Sequence, residues 1–282
     1  NEELIRLNKE VAELKQKGKY SEAIVIALKA LEIGKKLFGF EHPDTVRSLN
    51  NLAELYDRMG DYDRAETLYQ RSLKIVEKFL GPDHRQTALA LDNLAGLYFG
   101  KGDYTRAEPL QQRALKISEK ALGPEHPDTA ESLNNLATLY QRMGEYARAE
   151  PLFKRALKIN EKVLGPDHPD TAALLNNLGG LYKDMGDYAR VEPMYQRALK
   201  INEKVLGPDH PITALALNNL ADLYGDIGDY ARAEPLYQRS LKIQEQVLGP
   251  EHPGTANSLN NLANLYQDMG DYARAEPLYQ RS

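Results

Sequence analysis

The chain repeats itself every 42 residues, and that period limits its fold more sharply than any other property. Tyr20, Tyr62, Tyr104, Tyr146, Tyr188, Tyr230 and Tyr272 keep the interval, and Gly18, Gly60, Gly102, Gly144, Gly186, Gly228 and Gly270 precede them by two residues. All six histidines keep it as well, from His42 through His84, His126, His168 and His210 to His252. A unit this short cannot cover its own apolar surface, so copies must stack and bury one another.

Within the unit from Pro127 to His168, Pro127-Asp128-Thr129 opens a helix, with proline at the tolerated first position and an acid near the positive end of the dipole. Leu133, Leu136, Ala137 and Tyr140 follow at three- and four-residue spacing, one face of a helix that Gly144 stops. A second helix is predicted from about Tyr146 to Leu164, carrying Ala149, Leu152, Phe153, Leu157 and Ile159 and closing at Gly165-Pro166. No stretch alternates with period two, so no strand is expected.

The fold class is therefore all-α, a solenoid of antiparallel helix pairs spanning 1–282 as one domain. Its seven units cover about 1–42, 43–84, 85–126, 127–168, 169–210, 211–252 and a truncated 253–282. The opening helix diverges (Leu4, Leu7, Val11, Leu14), and the last unit breaks off within its second helix. A stack of this kind ends in a polar cap, so further repeats or another domain are expected beyond Ser282 in the parent protein. Buried phenols such as Tyr140 and Tyr182 need hydrogen-bond partners, and Arg148 and Glu150, like Arg232 and Glu234, are candidates. Pro109, Pro151, Pro193, Pro235 and Pro277 each remove one backbone bond from a second helix and are expected to bend it.

Composition narrows the function classes. A net charge of -5 and a pI near 5.8 argue against a phosphate-binding surface, so no nucleic acid is expected. Cysteine is absent, which removes disulfides and thiolate metal sites. The most apolar stretch, Ala23 to Leu31, is interrupted by Lys29 and too short for a bilayer, and Asn1-Glu2-Glu3 has no basic n-region, so a cytoplasmic protein is expected. One histidine per loop, on repeats displaced by roughly 8–10 Å, cannot close a metal site, so loop capping is the expected role. No Gly-rich phosphate loop, cysteine nucleophile or carboxylate pair escapes the repeat, and a residue present in six copies points to structure. Neither enzyme activity nor a cofactor is expected.

The pattern L-N-N-L-A-x-L-Y, then G-x-Y-x-R-A-E-P-L, then L-K-I-x-E-K-x-L-G-P-[DE]-H-P is complete in Leu133 to Tyr140, Gly144 to Leu152 and Leu157 to Pro169. It resembles the tetratricopeptide repeats of kinesin light chain, and is similar to the 42-residue arrays of bacterial and archaeal signalling proteins. The resemblance implies a right-handed superhelix whose first helices line a concave groove, and a fragment of a larger signalling or regulatory protein. It also implies that Asn51, Asn93, Asn135, Asn177, Asn219 and Asn261 grip the backbone of an extended peptide. An amide offers a donor and an acceptor, which suits a peptide bond of any sequence. The alternative is that these amides bond one another and stabilise the stack, a reading invited also by Asn50, Asp92, Asn134, Asn176, Asn218 and Asn260 beside them.

Four first-helix positions vary freely between copies, and by the same resemblance they face the groove and set specificity. Arg47 corresponds to Glu131, Glu54 to Thr138 and Asp222, and Arg58 to Arg142, Asp226 and Asp268, with Phe99 and Lys183 one place earlier. Unconstrained drift of exposed positions explains the variation equally well. Lys9, Arg47, Arg58, Arg142 and Lys183 fall in the first five units, and Asp222, Asp226 and Asp268 in the last two. A protein or peptide partner, acidic toward the amino-terminal half, is the expectation. The competing one is a structural element that self-associates end to end.

Overall fold

The computed structural model describes residues 2–39 and 42–282, and the described residues form fourteen α-helices and no strand. They pair in chain order: α1 Glu2–Gln16 with α2 Tyr20–Phe38, α3 Pro43–Arg58 with α4 Tyr62–Leu80, α5 Arg85–Gly100 with α6 Tyr104–Leu122, and α7 Pro127–Arg142 with α8 Tyr146–Val163. Then follow α9 Pro169–Asp184 with α10 Tyr188–Val205, α11 Pro211–Asp226 with α12 Tyr230–Leu248, and α13 Pro253–Asp268 with α14 Tyr272–Arg281. The 42-residue reading places each helix to within a residue or two.

Local chemistry explains the punctuation. His168 is the N-cap of α9, and its Nδ1 accepts from the Asp170 amide at 3.2 Å while Pro169 starts the helix. Nδ1 of His84, His126, His210 and His252 likewise accepts the amide two residues on at the start of α5, α7, α11 and α13, although α5 opens with Arg85 instead of proline. The capping role read from the histidine series is thus the observed one. Asp61, Asp103, Asp229 and Asp271 cap α4, α6, α12 and α14 by accepting the amide three residues on. Gly144 and Gly165 end the two helices of the fourth repeat at φ of 76° and 105°, a conformation that side-chain-bearing residues rarely adopt. Pro151 is the sixth residue of α8, and the helix runs on past it.

The chain divides into two compact units, Asn1–Gly144 and Glu145–Ser282. In each, every helix packs on its neighbours in sequence. The first helices of successive repeats also touch: α1 with α3 and α5 with α7 in one unit, α9 with α11 and α11 with α13 in the other. No two second helices approach to that extent among the described residues. Closer approach on one side means that the first helices form the inner wall of each unit. Leu133, Leu136, Ala137 and Tyr140 are buried on one face of α7, as their spacing predicts. Phe153 and Ile159 are buried in the other unit, whereas Leu152 and Leu157 are only partly covered.

The phenols find the expected partners, one repeat back. Tyr98 donates to Glu66 at 2.9 Å, Tyr140 to Glu108 at 3.0 Å, Tyr182 to Glu150 at 3.0 Å, Tyr224 to Glu192 at 2.8 Å and Tyr266 to Glu234 at 3.0 Å. An arginine on the following second helix lies over the ring and reaches the same carboxylate: Arg190 sits 3.7 Å from the Tyr182 centroid and 3.1 Å from Glu150. The recurrent tyrosine, glutamate and arginine therefore bolt successive repeats together.

Candidate functional site

Residues 47, 51, 54 and 58 stand four, three and four apart, so they form one stripe along α3. The core stripe of the same helix is Leu49, Leu52, Ala53 and Leu55, all buried. On the first stripe Arg47 and Arg58 are exposed, and Asn51 and Glu54 are half-buried. The later copies follow suit: Asn93 is exposed, while Asn135, Asn177, Asn219 and Asn261 are half-buried.

One amide of this stripe is bonded at the seam between first helices. Asn51 Nδ2 donates to Asn8 Oδ1 at 2.9 Å, joining α3 to α1. In the same register Asn135 of α7 lies near Asp92 of α5 and works against the rise of its carboxyl. Bonding of one amide to another, one of the two readings, is therefore present at the α1–α3 seam. It uses only part of the capacity of each amide, which has two donor hydrogens and two acceptor lone pairs. Of the residues before the stripe, Asp92 and Asn218 are more deeply placed than their neighbours, and Oδ1 of Asn50, Asp92, Asn176 and Asn218 is buried without a partner. Asp92 takes the place held elsewhere by asparagine, and burial, with help from Glu131, pushes its carboxyl up to about 7.

The variable residues are placed unevenly. Glu131, Arg142, Asp226 and Asp268 are exposed. Glu54 pairs with Lys15 and lies 3.9 Å from Arg58, so part of the charge in the second repeat is internally balanced. Thr138 returns its hydroxyl to Asn134 O of its own helix at 2.9 Å. Phe99 packs on Tyr104, with centroids 5.9 Å apart. Lys183 and Asp226, which the charge pattern assigned to the first five and the last two units, pair with each other at 2.9 Å.

A second-helix contribution was absent from the sequence reading. Tyr237 donates to Asp222, fifteen residues earlier, and Tyr279 donates to Asn264 at 2.5 Å and to Gln267 at 2.9 Å. These phenols pass from the second helix to the variable stripe of the first. The signal was the recurrence of an aromatic residue at 69, 153, 195, 237 and 279, which spacing alone assigns to the core. Among the described residues no group of three or more His, Asp and Glu side chains is gathered as a metal ion would need, and no helix is long and apolar enough to cross a membrane.

A stack of capped helix pairs with an inner wall of first helices defines a class of helical-repeat protein. The tetratricopeptide repeat model matches residues 7–78, 58–105, 86–162, 133–204, 185–246 and 216–282, and the chain belongs to that family. Its fold is similar to that of BtubC from P. vanneervenii, at 26% identity over 78% of this chain and 89% of that one, with a TM-score of 0.65. It is also similar to a protein of Podospora anserina described as a kinesin light chain with nearly identical TPR-like repeats, at 27% identity over 73% and 97%, with a TM-score of 0.60. A Rap protein complexed with Competence and Sporulation Factor shares the fold at 15% identity over 99% and 96%, with a TM-score of 0.60. No curated protein matches the sequence. Repeats of this family generally mediate protein–protein interactions and serve as non-catalytic scaffolds.

Proposed function

We propose that the inner wall of first helices is a binding surface for an extended segment of a partner protein, held by the asparagine stripe and selected by the variable residues around it. The observation that carries this reading is the shared stripe. The near-invariant amides at 51, 93, 135, 177, 219 and 261 lie on the same helix face as the positions that differ most between copies. A surface that holds main chain at fixed points and reads side chains between them needs that combination. The Rap protein of the same fold, seen in complex with a factor, is compatible with it.

The electrostatics differ between the two compact units. Arg47, Arg58 and Arg142 are exposed in the first, which suits an acidic stretch of partner, whereas the second carries Asp222, Asp226 and Asp268. The test is a peptide array followed by titration of the tightest binder against Asn135→Ala and Asn177→Ala. Each substitution is expected to weaken binding by roughly fivefold to tenfold, the worth of one or two hydrogen bonds. Unchanged affinity in both variants defeats the proposal. Raised salt and Arg58→Ala are expected to weaken an acidic peptide selectively.

A further inference from the structure

Tyr195 departs from the pattern set by its counterparts. Tyr237 and Tyr279 each give their hydroxyl to the side chain fifteen residues earlier, Asp222 and Asn264. For Tyr195 that position is Gly180, which has no side chain to accept. The preceding residue is also glycine, where Ala53, Ala95, Ala137, Ala221 and Ala263 stand in other repeats. A Cβ on Gly179 would meet the Tyr195 ring at 2.5 Å, so the ring lies flush against α9. Tyr195 is only 4% exposed, its hydroxyl has no hydrogen-bond partner among the described residues, and its oxygen is not sealed from solvent. Its hydroxyl thus lacks the side-chain bond that Tyr237 and Tyr279 make, and its oxygen is open to a ligand.

The surroundings of that hydroxyl are negatively charged. Burial, then the charges of Asp222, Asp184 and Asp226, push it up to about 12. Asp222 accepts from Tyr237, and burial raises its carboxyl, against which Lys183 works. Lys183 lies on this face and is engaged with Asp226 at 2.9 Å. Asp268 adds a further negative charge near Tyr237. Among the described residues, Asp222, Asp226 and Asp268 outnumber Lys183 on this face.

We propose that the place where Gly180 withholds an acceptor from Tyr195, the Gly180 notch, is a specificity site that receives a lysine or arginine side chain of the bound segment. The cationic head donates to the Tyr195 hydroxyl oxygen and to the carboxylates of Asp222 and Asp226, displacing Lys183 from Asp226. This deepens the proposed function and rests on it, since the segment must first lie along the first helices.

The experiment is fluorescence polarisation with three labelled peptides of equal length: alternating serine–lysine, serine–alanine and serine–glutamate. The lysine peptide is expected to bind most tightly and to weaken with salt. Tyr195→Phe and Gly180→Asn leave the net charge unchanged, so they separate the notch from general attraction to an acidic protein. The first removes the hydroxyl, and the second supplies the acceptor that Asn264 supplies to Tyr279. Each is expected to weaken the lysine peptide by about tenfold, as loss of a charge-assisted bond implies, and to leave the other two peptides unchanged. Lys183→Ala is expected to tighten it. Circular dichroism confirms that each variant is folded. Equal affinity for the three peptides, each weakened by Asn219→Ala, would overturn the notch and leave the groove standing. No binding by any of them would overturn both.

Discussion

The Tyr182 hydroxyl donates to Glu150 of the preceding repeat at 3.0 Å, while Arg190 lies over the Tyr182 ring and reaches the same carboxylate at 3.1 Å. One acid thus serves a buried phenol and an arginine that come from the next repeat. Lys154 also pairs with Glu150 at 2.7 Å, and its hydrogen bond is the main reason that the carboxyl titrates below its ordinary value. Tyr182→Phe deletes one bond and leaves Glu150 with two cations, so a loss of about 1 kcal/mol is expected. Glu150→Ala strands a buried hydroxyl, and roughly 2 kcal/mol is expected. Chemical denaturation of both variants and the double variant measures the coupling, which should be positive if the bolt links the repeats.

Asp92 is the one acid in a series of asparagines, and burial holds its carboxyl near 7 against an ordinary 3.8. A raised carboxyl is accommodated best when neutral. Its contribution to stability is complete below about 3.8 and is lost as pH rises through about 7. Asp92→Asn is therefore expected to stabilise the protein above pH 7 by on the order of 1–2 kcal/mol, with little change at pH 4. Thermal midpoints of the two proteins across that range check it; parallel curves would contradict the assignment.

His168 accepts the Asp170 amide at 3.2 Å as the N-cap of α9. His168→Ala is expected to cost about 1 kcal/mol, and His168→Asp to recover most of it, because an aspartate also accepts at this position. Equal stability of all three proteins would show that Pro169 and packing alone start the helix.

Gly179 is helical, so replacing it by alanine would ordinarily help by about 1 kcal/mol. Here the added Cβ would stand 2.5 Å from the buried Tyr195 ring. The expected outcome of Gly179→Ala is a loss of roughly 1–3 kcal/mol, as for other overpacked sites, read from the denaturation midpoint. A gain would mean that the ring moves freely to the position that Tyr237 occupies over Ala221.

The helix ends were legible because proline, histidine and glycine mark them at a fixed period, and each of those residues acts within a few positions of itself. The core face of α7 was legible for the same reason. Contacts between repeats were less so. Glutamate and arginine could be named as partners of the buried tyrosines, but not that Glu150 serves Tyr182 of the next repeat. The Lys183–Asp226 pair escaped notice because both positions vary and lie in different repeats. The Tyr195 notch was hidden further, since it depends on how the two helices of a hairpin register and on two missing side chains. Sequence spacing describes one helix at a time and carries little of either.

The central claim is that the asparagine stripe holds a partner's backbone. Its most direct test follows the side-chain amide resonances of Asn93, Asn135, Asn177 and Asn219 during titration with the tightest peptide from the array. The expected result is large shifts in those signals, together with their neighbours on the first helices. Shifts confined to second-helix residues, with these asparagine amides unmoved, would contradict it.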